Sequence, residues 1–249
     1  MIYSTDAIVL NNKKFSDSSL ICNLYSKDYG KLSIIAKGAR KIKNLNGAIL
    51  QPLNYINLIY YYKPKRNIQT YKEASIIQKY NDISDDYNKI ILSSVILDII
   101  NYSSIEDNPC DIIFRLVNKT LEKINLSNSC NIIYYFIFFN IQLLIYLGYK
   151  PLIEKCYHCN KKLNTGFFNH TSGQLECSKC SNSKTKVNSS SIQLIKLFFN
   201  THINKINQLF KLDEQSLNDI NKYFFHYILY HIPNMKKSKA YINYNKKHD

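Results

Sequence analysis

Four of the seven cysteines occur as two closely spaced pairs. Cys156 and Cys159 are separated by two residues, as are Cys177 and Cys180, and seventeen residues lie between the pairs. Two intervening residues let one tight turn direct both thiolates at a single ion, and two such turns complete the tetrahedral coordination of zinc. Four thiolates leave no open position. The spacing therefore predicts one structural Zn²⁺ in a finger at residues 154 to 182, with no catalytic role for the metal.

Other interpretations of the cysteines are weaker. A redox-active pair would need a βαβ context, whereas the surrounding sequence has helical periodicity. His158 and His170 are potential ligands, but four cysteines already fill the coordination sphere. The three remaining cysteines lie in apolar or helical surroundings and are predicted to be small buried side chains: Cys22, Cys110 and Cys130.

Positive charge is unevenly distributed along the chain. Lys and Arg outnumber Asp and Glu by 33 to 18, and the formal charge of +15 attracts polyanions. Residues 1 to 80 hold 13 basic against 4 acidic residues, residues 81 to 150 hold 5 against 8, and residues 151 to 249 hold 15 against 6. A coding bias toward Lys would enrich residues 81 to 150 in Lys as well, which is not observed. The segregation predicts two separate surfaces that contact a polyanion.

Two segments of the first third are predicted to contact DNA. Residues 37 to 43 follow a predicted strand, and Gly38 allows the backbone to turn close to a phosphate chain. Residues 60 to 66 place three tyrosines next to cations that neutralise phosphates. Tyrosines in strands more often pack in the sheet, and stacking on bases is the alternative. The predicted DNA-binding residues are Lys37, Arg40, Lys41, Lys43, Lys63, Lys65 and Arg66. Residues 235 to 248 form a basic tail that is predicted to be mobile, either as a solvated end or in direct contact with nucleic acid.

The elements that position these residues follow from periodicity and turn signals. Five short strands are predicted at residues 3–10, 20–25, 32–36, 55–61 and 68–77. Five strands in about 75 residues indicate a small closed barrel, and the five-stranded barrel that most often binds single strands is the OB fold. We therefore predict an OB-fold nucleic-acid-binding domain at residues 1–80.

Helical spacing begins after Asp82, with Asp85 or Ser84 as the predicted N-cap of the first long helix. Further helices are predicted at residues 111–124, 132–147, 190–200 and 214–232. The cysteine segment between them contains a predicted hairpin at residues 166–169 and 171–175, and a polar linker at 181–191 follows. The apolar run at 132–147 is shorter than the ~20 residues that span a bilayer, which favours a buried helix and no membrane partner. The fold class is α+β, with an all-α domain at residues 81–249 carrying the zinc finger and the basic tail.

Enzymatic signatures are missing from the sequence. Nucleotide-binding, metalloprotease and serine-hydrolase motifs do not occur, so we predict that the protein is not an enzyme and has no catalytic residue. A hydrolase using Asp17 or Asp28 is the enzymatic alternative. The first ten residues alternate like a strand and do not form a secretory signal, which favours the cytoplasm.

Seven short motifs occur in the order and spacing of a known family: AIVL at 7–10, FSDSSL at 15–20, YGKL at 29–32, AKGAR at 36–40, LQP at 50–52, LGYKP at 147–151 and KSK at 237–239, together with the two cysteine pairs. On these motifs the chain resembles the bacterial DNA repair protein RecO family. The departure is Ala240, where similar proteins carry an aromatic residue directly after the basic pair.

The resemblance implies an OB-fold domain followed by a helical domain with a zinc finger. It further implies a non-catalytic recombination mediator of the bacterial cytoplasm, associated with the nucleoid. Such a protein binds single- and double-stranded DNA, anneals complementary strands, binds the single-strand DNA-binding protein, and joins RecR to load RecA. The alternative function is a zinc-ribbon RNA-binding or ribosome-associated module, which would share the basic barrel and the four cysteines.

Overall fold

The computed structural model describes residues 1–42, 44–104, 108–169, 173–183, 185–209 and 214–248. The chain falls into two compact units. One comprises Met1–Leu126 together with Lys237–Asp249, and the other comprises Ser127–Lys236. The predicted domain boundary at residue 80 stays a prediction.

Five strands form a closed barrel at the start of the first unit, in the order β1-β2-β3-β5-β4. The β3–β5 pair is parallel and the other pairs are antiparallel. This is the five-stranded OB-fold barrel that the sequence predicted. The strands are β1 (Ile2–Phe15), β2 (Ser19–Ser26), β3 (Gly30–Ala36), β4 (Tyr55–Tyr61) and β5 (Ile68–Gln78), with the short helix α1 (Asn46–Ile49) between β3 and β4.

Strand β1 extends five residues beyond the predicted end at Leu10. Its register against β2 shifts between Val9 and Asn11, where an irregularity of the β-bulge type interrupts the ladder. A bulge breaks the alternation of inward and outward side chains, so the apolar pattern stops while the strand continues. Lys13 and Lys14 consequently lie on a paired strand.

The barrel interior is filled by side chains that alternate along each strand, as expected for a barrel of this size. Its fully buried members are Ala7, Val9, Cys22, Leu24, Ile34, Ala36, Ile56 and Leu58. Leu50, which follows α1, is buried in the same cluster. These residues supply a continuous apolar core that needs no disulfide.

Three helices follow the barrel within the first unit: α2 (Asn81–Ser84), α3 (Tyr87–Ser103) and α4 (Asp111–Leu126). The N-cap of α3 is Asp86, whose carboxylate accepts hydrogen bonds from the backbone N–H groups of Asn88 at 2.8 Å and Lys89 at 3.1 Å. The prediction of Asp85 or Ser84 was wrong. Asp85 has helical dihedrals and ends α2, whereas Asp86 is extended, as an N-cap must be.

The C-terminal segment also belongs to the first unit. Helix α8 (Lys239–His248) packs against α3, and Tyr244 is buried. Ser238 begins the helix: its hydroxyl donates to the Asp98 carboxylate at 2.5 Å and accepts from the backbone N–H of Tyr241 at 3.0 Å. The prediction of a mobile, solvated tail was therefore wrong, because a cap and a buried aromatic residue hold the segment in place.

The second unit is built from α5 (Ile132–Tyr146), α6 (Ser189–Asn200) and α7 (Glu214–His231), with 3-10 turns at Ile203–Leu209 and Pro233–Lys237. The middle of α5 is buried on every side, which confirms the predicted core helix. Within the described part of the chain, no helix is both long and apolar enough to cross a membrane.

A small sheet of order β7-β6-β8 carries the cysteine segment: β6 (Gly166–Asn169), β7 (Gln174–Glu176) and β8 (Lys186–Val187). The antiparallel β6–β7 pair confirms the predicted hairpin. The linker predicted at 181–191 was wrong in part, since it contains β8 and the start of α6. Its polar Asn188 is an N-cap that accepts from the backbone N–H of Ser191 at 2.7 Å.

The cap of α3 gives a direct test of the fold. We expect Asp86→Ala to lower the free energy of unfolding by about 1 kcal/mol, because two backbone N–H groups lose their acceptor. Urea denaturation followed by circular dichroism measures this. The neighbouring Asp85→Ala is the matched control and should change stability by no more than about 0.5 kcal/mol. Equal effects of the two substitutions would contradict the assignment.

Candidate metal centre and basic surfaces

The four paired cysteines converge on one point in the second unit. The sulfur atoms of Cys156, Cys159, Cys177 and Cys180 all lie within 4.8 Å of one another, and those of Cys159 and Cys177 are 3.8 Å apart. A tetrahedron with zinc–sulfur distances near ~2.3 Å has sulfur–sulfur edges of about 3.8 Å. The four side chains thus fit a metal ion such as zinc in a closed, all-sulfur site.

Backbone hydrogen bonds shape the two turns that present the sulfur atoms. In the first turn the N–H of Asn160 donates to the carbonyl of Cys156 at 2.9 Å, and Asn160 has a positive φ of 56°. In the second, the N–H groups of Cys180 and Ser181 donate to the carbonyl of Cys177 at 3.1 and 3.0 Å. The N–H of Cys177 also donates to the sulfur of Cys156 at 3.3 Å, which links the turns directly.

The surroundings favour the thiolate form of Cys156 and disfavour that of Cys180. Burial opposes ionisation of Cys156, but backbone hydrogen bonds from Cys159 and Cys177 lower its pKa to about 6. Hydrogen bonding with Cys177 raises the pKa of Cys180 to about 12. Adjacent thiolates repel one another, so a divalent cation among them would allow all four to ionise together.

A buried carboxylate braces the hairpin behind the cysteines. Glu176 accepts a hydrogen bond from Asn169 at 2.9 Å and lies 3.2 Å from Nε2 of His158. Burial favours the protonated acid, but the hydrogen bonds, first that from Asn169, lower the pKa of Glu176. The ionised Glu176 carboxylate therefore stabilises the folded protein at neutral pH, and this stabilisation is lost as the pH falls through the pKa of Glu176 in the folded state. His158 contacts this carboxylate, and His170 lies outside the described residues.

The other three cysteines lie apart from the cluster. Cys22 is buried in the barrel, where burial raises its pKa to about 12. Cys110 is half-buried and Cys130 is exposed. The prediction of three buried cysteines was wrong for Cys130, because the residue precedes the buried helix α5 without belonging to its apolar surface.

The first predicted DNA-binding segment forms a turn after β3. Gly38 has a positive φ of 70°, and its carbonyl accepts from the N–H of Lys41 at 3.1 Å. The Arg40 guanidinium donates to the backbone carbonyls of Ser16 at 3.2 Å and Asp17 at 2.8 Å. Arg40 therefore also ties this turn to the β1–β2 turn, whereas Lys37 and Lys41 are exposed. Lys43 lies outside the described residues.

The second predicted segment is the loop between β4 and β5. Gln69, which is buried, accepts from the N–H of Lys63 at 2.8 Å and donates to the carbonyl of Arg66 at 2.6 Å. These bonds close the loop around the Gln69 amide and leave Lys65 and Arg66 exposed. The loop backbone is thus fixed while its cations remain accessible.

The tyrosines before this loop differ in environment. Tyr60 is 1% exposed and belongs to the barrel core, so its ring is unavailable for stacking with a base. Tyr61 is 42% exposed. Tyr62 is half-buried and packs edge-to-face on Tyr3 with ring centroids 5.0 Å apart. Only Tyr61 of the three offers an open ring.

The two basic segments lie at opposite ends of the barrel. At the start of the loop before β5, the N–H of Tyr62 donates to the carbonyl of Met1, the residue just before β1. Arg40 instead bonds to residues just after the end of β1. The intervening strand of 14 residues spans at most roughly 45 Å. Lys13 and Lys14 are exposed. They lie at the same end of the barrel as Arg40, because Lys14 pairs with Leu20 and Leu20 pairs with Ala36, close to the turn that contains Arg40.

Sequence reasoning missed Lys13 and Lys14 because their strand was predicted to stop at Leu10. The polar pair Asn11-Asn12 is typical of a turn, whereas in the structure both residues pair with β2 beyond the bulge. Of the two acidic residues in the hydrolase alternative, Asp28 has a carboxylate that accepts from the Thr5 hydroxyl at 2.7 Å. The Arg40 guanidinium bonds the backbone carbonyl of Asp17 and not its carboxylate.

Comparison with known proteins covers both parts of the chain. Residues 1–80 match the family model described as recombination protein O N terminal, and residues 84–240 match the one described as recombination protein O C terminal. A DNA repair protein RecO of Thermodesulfovibrio yellowstonii is 28% identical over 236 residues, 92% of each chain. One of a Thermoanaerobacter species is 25% identical over 245 residues, 97% of each chain. The RecO of Salinibacter ruber is 30% identical over 154 residues, which cover 62% of this chain and 59% of that relative.

The contacts of Arg40 predict a structural role for its guanidinium. Arg40→Met should lower the free energy of unfolding by roughly 1 kcal/mol, because the two carbonyls of the β1–β2 turn lose a charged donor. The neighbouring Lys41→Met removes the same charge, and the Lys41 side chain donates no such bond among the described residues. This variant should leave stability within about 0.5 kcal/mol. Urea denaturation of both variants decides the matter. Equal stability of the two would show that the guanidinium contributes nothing to the fold.

Proposed function

This chain belongs to the RecO family of DNA repair proteins, and on that premise we propose that it is a non-catalytic mediator of recombination. It binds single-stranded DNA and anneals complementary strands. With RecR it helps to load RecA onto strands coated by the single-strand DNA-binding protein. The observation that carries the proposal is the closed barrel with exposed cations at both of its ends.

Annealing is first an electrostatic problem. Each DNA strand is a polyanion, and bringing two together costs work that a basic protein offsets by neutralising phosphates and releasing their counterions. A chain with a formal charge of +15 has the required sign. Such neutralisation requires no covalent bond to form or break, so the proposed activity needs neither a catalytic residue nor a nucleotide.

The barrel supplies the first strand-binding surface. Lys13, Lys14, Lys37 and Lys41 lie at one end, and Lys63, Lys65 and Arg66 lie at the other. A single strand that follows the barrel wall between the two ends meets cations at both, while phosphate contacts of this kind carry no sequence information. Binding should therefore be tight at low salt, strongly salt-dependent and indifferent to sequence.

Zinc has a structural role in this proposal. Cys156, Cys159, Cys177 and Cys180 would hold it, and a bound Zn²⁺ would cross-link the two turns without offering an open coordination position. The metal then fixes the finger and takes no part in chemistry on DNA. RecR and the single-strand DNA-binding protein are proposed as protein partners on the family premise, and a role on chromosomal DNA places the protein at the nucleoid.

The zinc assignment predicts one zinc per chain in purified protein, measured by elemental analysis. Cys156→Ser and Cys177→Ser should abolish stoichiometric zinc and increase amide hydrogen exchange across residues 150–187, because each removes one of four ligands. The matched control is Cys130→Ser, which changes an exposed cysteine of the same unit outside the cluster and should retain the metal. A zinc-free parent protein, or full zinc in Cys156→Ser, would refute the assignment.

The DNA-binding assignment predicts weaker binding by two double variants, Lys37→Glu/Lys41→Glu and Lys63→Glu/Lys65→Glu. Each lost phosphate contact should reduce the steepness of the log–log salt dependence by about 0.7 on single strands, for all sequences alike. Annealing by the parent should decline steeply between ~50 and ~200 mM salt and should not respond to nucleotide. Fluorescence anisotropy and a strand-pairing assay provide the measurements.

The control for these variants is Arg115→Glu/Lys119→Glu, which makes the same charge change on α4, where both residues are in ion pairs. It should bind DNA more tightly than either barrel variant. Barrel variants that bind like this control at low salt would show that DNA lies elsewhere. Competition by structured RNA that displaces single-stranded DNA would favour the RNA-binding alternative instead.

A further inference from the structure

A cavity of about 630 Å³ opens in the second unit beside the cysteine cluster. Its lining comes from the chain entering the first cysteine turn, at residues 150–157 and 160, and from Lys196, Phe199 and Asn200 at the end of α6. Small-molecule sites in proteins occupy roughly 300 to 1,000 Å³, so the cavity has room for one or two nucleotides.

The cavity has an apolar base next to the candidate metal. Ile153 and Cys156 are buried in its lining, and Cys156 is also one of the four converging cysteines. The wall that contains Cys156 is held by its N–H, which donates to the carbonyl of Lys161 at 2.8 Å. The shape of the cavity therefore depends on the same turn that presents the sulfur atoms.

Three lysines and one acid line the cavity, which gives it a net positive charge. Glu154 lies 3.5 Å from Lys196, so these two neutralise each other. The ammonium of Lys150 lies 5.2 Å from the centre of the Phe199 ring. Lys155 is exposed and has no ion-pair partner among the described residues. Lys150 and Lys155 are thus available to an anion.

Aromatic rings and amides complete the lining. Tyr157 and Phe199 both line the cavity. Tyr157 is 55% exposed, whereas Phe199 is half-buried and has the Lys150 ammonium over its ring. Asn160 and Asn200 contribute exposed amides, which can both donate and accept hydrogen bonds. The amide nitrogen of Asn200 already donates to the carbonyl of Lys196 at 3.1 Å and keeps its second N–H and its oxygen. Base edges need donors and acceptors together, whereas the carboxylates of an acidic peptide accept only.

From this lining we propose that the cavity is a second binding site for single-stranded DNA. A base contacts the Tyr157 and Phe199 rings, the amides meet its edge, and Lys150 and Lys155 neutralise the adjoining phosphates. Cations beside open rings are the combination with which proteins bind single strands without sequence preference. This inference rests on the proposed function and extends it, since it locates a site for the second strand in the metal-bearing unit.

The test uses the full-length, zinc-containing protein and a fluorescent oligothymidine. Tyr157→Ala should weaken binding about fivefold or more when made in the Lys37→Glu/Lys41→Glu background, where the barrel contributes less. Lys150→Glu/Lys155→Glu should lower the steepness of the salt dependence by about 1.4, for two lost phosphate contacts. The matched control, Lys205→Glu/Lys222→Glu, reverses two exposed charges of the same unit outside the cavity and should bind better than the cavity variant.

Elemental zinc and circular dichroism identify any variant whose finger fails to fold. For such a variant, cross-linking of 5-iododeoxyuridine oligonucleotides to the parent replaces the binding comparison, and the adduct should map to Tyr157 or Phe199. Cavity variants that bind like the control, with cross-links elsewhere, overturn the cavity site while leaving the barrel assignment intact. If the unsubstituted protein does not bind single-stranded DNA, the proposed function itself is wrong. Loss of acidic-peptide binding without loss of DNA binding in the cavity variants also overturns the proposal, because the occupant is then a peptide.

Discussion

Parallel pairing of β3 with β5 closes the barrel, and the position of the basic residues depends on this short ladder. It joins Ser33 to Ile68 and Ile35 to Thr70. Because the two strands run in the same direction, the turn that follows β3 and the loop that precedes β5 are directed to opposite ends. An antiparallel closure would have brought both groups of cations together. The topology instead distributes positive charge along the barrel wall, which suits an extended polyanion better than a compact one.

The cysteine segment is also held together by a small number of contacts. Two turns and a three-stranded sheet with few paired residues could not stay folded on apolar burial alone, as small elements bury too little surface. Other contacts compensate for the small apolar burial. They are the bond from the N–H of Cys177 to the sulfur of Cys156, the hydrogen bond from Asn169 to Glu176, and the sulfur cluster. The cavity on the other side of Cys156 shares that framework. Its lining is consequently held by the same contacts that assemble the candidate metal centre.

Local patterns predicted much of this architecture. The five strands, the core helix and the convergence of four cysteines follow from alternation, apolar length and spacing, which are properties of neighbouring residues. Of three elements that the sequence did not predict, one depends on backbone dihedrals and two depend on distant partners. Asp86 is the cap because its backbone is extended where that of Asp85 is helical. The bulge in β1 is defined only by its pairing with β2, and the position of α8 depends on α3 and Asp98.

The packing of α8 in the first unit affects the order in which parts of the protein can fold. A ribosome synthesises the barrel and α3 first, and domains commonly fold as they emerge. The surface of α3 that receives α8 nevertheless stays uncovered by α8 until residues 239–248 have been translated and have left the exit tunnel. The burial of Tyr244 and the Ser238–Asp98 hydrogen bond can therefore form only after the barrel and α3 have been made. A nonsense mutation just before codon 238 would thus leave an early-made helix uncovered, in a chain whose barrel and cysteine cluster are otherwise intact.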